Sequence, residues 1–207
     1  AYGIPGYFAS ITRLYKEAGE FYKKAVEIQP NNWSAHIELG QNYLRLNYVT
    51  QAVEHVTISF EGDPYNPKTV NTLRLLDTFI DDFVLLNFPD PPVLAELPRL
   101  TLRLHKDERD IIKNYAQALA EDSIAAFSER YKFDPIEPIT VEIYPNHEDF
   151  VVRSIGMPGV GILGVTFGYL FAMDSPSGHP EASYHWGTTL WHEMAHVFTL
   201  GVTDNRV

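Results

Sequence analysis

The sequence predicts an α+β fold: helical repeats first, then a part that mixes strands and helices around a mixed β-sheet. Three observations predict it. Residues in the first part recur at a spacing of 34, the mark of stacked supersecondary units. A stretch with four prolines in twelve residues, NFPDPPVLAELP at 87–98, interrupts the helical pattern. Beyond it, short alternating runs give way to helical spacing and back again, which marks strands and helices in turn.

The elements follow in order. Ala18, Tyr22 and Pro30 recur as Ala52, Val56 and Pro64, and Ala25 recurs as Ser59. Gly40 and Ala52 are small enough to let two helices approach closely, and Pro30 and Pro64 end the second helix of each pair. A further helix is expected over 67–86, with Pro67 in its first turn. The proline stretch at 87–98 reads as a linker, because prolines at that density fit neither a helix nor a central strand. RLTLRLH at 99–105 alternates as a strand does. Residues 106–131 form a long amphipathic helix with acids in its first turn, where the helix dipole favours them. PITVEIYP at 138–145 is a second strand. Residues 146–156 run from an Asn cap to a closing Gly as a short helix. The Gly-, β-branched- and aromatic-rich stretch 159–174 fits one long strand or two short ones, 175–183 is a loop, and 184–200 is a strongly apolar helix. This divides the chain into 1–86, the linker 87–98, and 99–207.

Composition narrows the function. The chain has 207 residues, 45% of them hydrophobic, enough to bury a core. Its formal net charge is −11, which argues against a nucleic-acid partner or an anionic membrane surface, since both need clustered Lys and Arg. No run of about 18 apolar residues is present, so no membrane insertion is expected. AYGIPGYFAS lacks the basic-then-apolar order of a signal peptide, and the missing initiator Met suggests a processed or cut chain. There are no cysteines. A metal site would therefore use His and carboxylate, and the compartment stays open.

LWHEMAH at 190–196 is the stretch that carries chemistry. Residues four apart share one face of a helix, so His192 and His196 can offer two imidazole nitrogens to one zinc ion. Glu193, one residue round, can reach a water at that ion without being a ligand. In such a centre the Glu is the general base. From average residue frequencies the pattern arises by chance in roughly one chain in a hundred of this length, or fewer. The other reading is a core helix whose histidines bond to backbone. A charged Glu193 between Trp191 and Met194 is costly unless something compensates it. His185 reads as a surface or capping residue and His147 as a helix start. No role is expected for His179, His36, His55 or His105.

The first part resembles the tetratricopeptide repeat, with one complete repeat at 33–66 and the rear of another before it; His36 stands where that family usually has Trp. Such repeats imply a concave surface for a protein partner or a brace for the neighbouring domain. GILGVTFGYLFAMDSPS, WGTTLWHEMAHVFTL and TDNRV together resemble the peptidase MA-like proteins, gluzincin-type metallopeptidases that often carry such repeats. The resemblance implies a zincin-like domain acting on a peptide or protein substrate, with His192 and His196 as zinc ligands and Glu193 as catalytic base. It implies that the strand around Thr166, Phe167, Gly168 and Tyr169 edges the cleft and binds substrate. Gluzincins take their third ligand from a Glu roughly 20 or more residues beyond the second His, and here 11 residues follow His196. The expectation is a piece of a catalytic domain with weak or no zinc binding and no robust activity. The alternative is a repeat-based protein-binding module with an inert zincin-like domain.

Overall fold

The computed structural model describes residues 2–89, 98–178 and 184–204. They form an α+β chain of eight α-helices and a five-stranded mixed sheet. Two compact units result, residues 1–80 with 151–159, and 81–150 with 160–207. Each has its own apolar core.

The first unit holds helices α1 (Gly3–Ile11), α2 (Tyr15–Ile28), α3 (Trp33–Arg45), α4 (Val49–Gly62) and most of α5 (Pro67–Asp82). The 34-residue spacing is built into its geometry. Gly6 lies under the Tyr22 ring, and Gly40, 34 residues on, lies under Val56; a β-carbon at either would come within 3.0 Å of that side chain. The turns that close α1 and α3 each use a left-handed residue, Arg13 at φ 63° and Asn47 at φ 62°. Asn32 caps α3 by accepting from the Ala35 amide at 3.1 Å, and Asn66 caps α5 by accepting from the Thr69 amide at 3.2 Å. Both caps use the short Asx side chain to satisfy an amide that the helix leaves over. Pro30 and Pro64 stand two residues beyond the ends of α2 and α4. The core collects Ala18, Tyr22, Ile37, Leu39, Leu44, Ala52, Val56 and Leu76.

The second unit holds strands β1 (Phe83–Pro89), β2 (Pro98–His105), β3 (Ile139–Tyr144), β4 (Gly164–Phe167) and β5 (Leu170–Asp174), in sheet order β1-β2-β3-β5-β4. β2, β3 and β5 are parallel, and the edge strands β1 and β4 run antiparallel to their neighbours. Helices α6 (Arg109–Tyr131) and α8 (Trp186–Val202) belong to this unit, and α7 (His147–Ile155) starts in it. One sheet face presents Leu100, Leu102, Leu104, Ile139, Val141, Ile143, Phe171 and Met173. It packs with Ile112, Ala116, Ala120 and Ile124 of α6 and with Leu190, Met194, Val197 and Phe198 of α8, both at helical spacing. The alternate residues make the opposite face, where Thr101, Thr140, Glu142 and Asp174 are buried beside Leu170 and Ala172. Glu142, with no exposure, is paired with Arg103, its register neighbour, and accepts the Tyr144 hydroxyl at 3.1 Å.

Two expectations need correcting. The helix expected over 67–86 stops at Asp82, and Phe83–Leu86 open β1 instead. The run Phe83-Val84-Leu85-Leu86 is β-prone, and it pairs with β2 from Phe83↔His105 onward. The stretch 87–98 is not all linker. Asn87–Pro89 end β1 and Pro98 begins β2, while 90–97 fall outside the described residues. Proline is tolerated at those places because β1 is an edge strand and Pro98 is the first residue of its strand. The stretch 159–174 resolves as the two short strands β4 and β5, and Gly168, at φ 70°, stands in the turn between them.

Candidate active site

Helix α8 separates the roles that the LWHEMAH pattern offers. Leu190, Met194, Val197 and Phe198 form its buried stripe. His192 and His196 fall away from that stripe: His192 is exposed and His196 half-buried. Glu193 flanks the stripe and is only 5% exposed. The histidines are therefore not core residues, and their rings meet edge to face with centroids 4.7 Å apart.

Their Nε2 atoms face each other at 3.1 Å. Two neutral imidazoles cannot aim lone pairs at one another at that distance without a proton or a cation between them. A tetrahedral zinc ion with bonds of about 2.0–2.1 Å to two imidazoles sets those nitrogens about 3.3 Å apart. The donor set thus fits a shared zinc ion in chemistry and spacing. Among the described residues no group of three His, Cys, Asp or Glu is placed to hold a metal; the pair is two donors.

Glu193 is seated on the edge strand β4. The Thr166 hydroxyl donates to Glu193 Oε2 at 2.7 Å and lies 3.2 Å from the Glu193 carbonyl oxygen. Gly164, two residues earlier and so on the same strand face, leaves room for the carboxyl group. A β-carbon there would sit 2.7 Å from Oε1 and 2.8 Å from Cδ of Glu193. The compensation that a buried Glu193 requires comes in part from this hydroxyl.

The four residues placed on the cleft edge by sequence reasoning are divided by the structure. Thr166 and Phe167 are buried, at 4% and 6% exposure, with Thr166 turned to Glu193. Gly168 makes the turn. Tyr169 is half-buried against the sheet core, with its hydroxyl on the side where Gly201 of α8 lies. What β4 offers a ligand is its outer backbone edge, since among the described residues it pairs with β5 alone.

Sequence reasoning missed two nearby features. Tyr184 donates its hydroxyl to the Asp174 carbonyl at 2.8 Å. Burial pushes its phenol up, and the Thr189 hydrogen bond offsets only part of that, so it stays a neutral donor. His147 does open α7, but its Nδ1 meets Asp174 Oδ2 at 2.7 Å and its Nε2 meets the Val160 carbonyl at 3.2 Å. Both partners can accept, which favours the doubly protonated ring. Neither link was legible, because each joins residues ten or more positions apart with no spacing rule. His185 is the exposed N-cap residue of α8, and His179 lies outside the described residues. His36 and His55 bond to each other at 2.9 Å within the first unit.

Comparison with known proteins finds no matching family model, curated protein or solved structure.

Proposed function

We propose that α8 and β4 are part of the centre of a zinc-dependent metallopeptidase of the gluzincin type. The observation that carries this reading is the convergence of His192 and His196 at 3.1 Å beside a buried Glu193. A hydrogen bond between the two rings would give the same distance; what favours a shared ion is that the pair adjoins, on one helix, a carboxylate held away from solvent.

His192 and His196 would hold the ion, with a third ligand supplied from elsewhere. When bound, zinc polarises a scissile carbonyl and makes water a better nucleophile. Glu193 accepts the proton that the attacking water loses and returns it to the leaving amine nitrogen. Its burial keeps competing water from the carboxylate, and the Thr166 hydroxyl keeps one oxygen engaged so that the other is the free base. The outer edge of β4 supports an extended peptide by strand addition, which suits a peptide or protein substrate. The 34-residue hairpins of the first unit support the tetratricopeptide assignment and a protein partner on their surface.

The binding-module reading, with an inert zincin-like domain, is favoured by one observation: among the described residues only two donors converge. Glu193→Gln separates the two readings. In the zinc-loaded protein the variant keeps its metal and loses hydrolysis by about 10²–10⁴-fold. Unchanged turnover removes Glu193 as the base.

A further inference from the structure

Thr166 was expected to touch substrate. The structure turns it the other way. We propose that Gly164 and Thr166 form a seat on β4 that fixes the Glu193 carboxylate, and that Thr166 is a positioning residue rather than a substrate contact. The inference rests on the reading of Glu193 as the general base.

Three observations converge on it. Thr166 is 4% exposed, so a substrate lying on the strand's outer edge does not meet its hydroxyl. That hydroxyl donates to Glu193 Oε2 at 2.7 Å, a hydrogen bond to a charged acceptor and so among the stronger kinds. Gly164 shares the face of Thr166 and has no side chain where the carboxyl group lies; its β-carbon would be 2.6 Å from Glu193 Cγ. The donor fixes one oxygen and the glycine makes the space. Together they choose the rotamer of a side chain that would otherwise have three torsions free. A base must stand within hydrogen-bond reach of the proton it takes, and small misplacements are costly in rate.

The test uses Thr166→Val, which keeps the shape and removes the hydroxyl, with Thr166→Ser restoring it. In the zinc-loaded protein, T166V is expected to lower kcat between about tenfold and a hundredfold. KM and zinc content stay unchanged, and T166S recovers most of the rate. Gly164→Ala is expected to lower kcat in the same way. A raised KM with unchanged kcat would show Thr166 to be a substrate contact and overturn the proposal, as would an unchanged rate. A second readout needs no activity. Urea unfolding of this 207-residue chain is measured for T166V, Glu193→Gln and the double variant. The proposal expects non-additive midpoint shifts, because both single changes weaken one hydrogen bond. Additive shifts overturn it. If no hydrolysis is found in any variant while the cycle is non-additive, the seat stands and the peptidase reading fails.

Discussion

His147 shows how much a single residue can carry that its sequence neighbours do not announce. Burial works against its charged form, but the Asp174 carboxylate and the Val160 carbonyl outweigh that and hold its pKa above the ordinary histidine value. Asp174 is fully buried, so the pair is screened little. Between the unfolded and folded pKa values the folded chain holds the proton and the unfolded chain does not. Folding stability therefore falls as pH rises through that window. The contribution is complete below about pH 6.5 and is lost above it as the folded pKa is passed. Urea unfolding across pH 5–9 should show this decline in the parent chain and a flatter profile in His147→Asn. Parallel profiles would contradict the assignment. Glu193 belongs to the same scale. Its motif was legible, but its partner Thr166 is 27 positions away, and no local pattern links them.

At the scale of elements, periodicity was the readable signal, and it failed where two periods meet. α8, α6, β2 and β3 were legible because an apolar stripe or an alternation runs through each. The end of α5 was not, because Asp81-Asp82-Phe83-Val84 continues a helical pattern as easily as it starts a strand. Only pairing with β2 decides it. The small residues of the first unit's helices were legible as close contacts, and the structure gives them a quantity. A β-carbon at Gly40 would lie 2.6 Å from Val56 Cγ2 and 3.3 Å from the Ala52 carbonyl oxygen. Gly40→Ala is expected to destabilise the chain by about 1–3 kcal/mol through overpacking of α3 on α4. Gly3, also helical, has nothing within 4 Å of its β-carbon position. Gly3→Ala should be neutral or stabilising by up to about 1 kcal/mol. Thermal melting of both variants checks the contrast, and equal shifts would show that Gly40 is not the packing point.

For the molecule as a whole, the sequence separates two grammars and the structure separates two cores, although a short segment, 151–159, groups with the first unit from far along the chain. No spacing rule could show that. The same reach across the chain builds the candidate site, which joins His192, Glu193 and His196 of α8 to Thr166 of β4. The central claim is that His192 and His196 are zinc donors on one face of α8. Thermal melting of the 207-residue chain against zinc concentration tests it directly, in parallel with His192→Ala and His196→Ala. A ligand that binds only the folded chain raises stability by about 2.7 kcal/mol at a hundredfold excess over its dissociation constant. The account predicts a zinc-dependent rise in the parent chain that is shallow, since two protein donors hold the ion weakly, and that either substitution abolishes. A rise that survives both substitutions, or no rise at any zinc concentration, would contradict it.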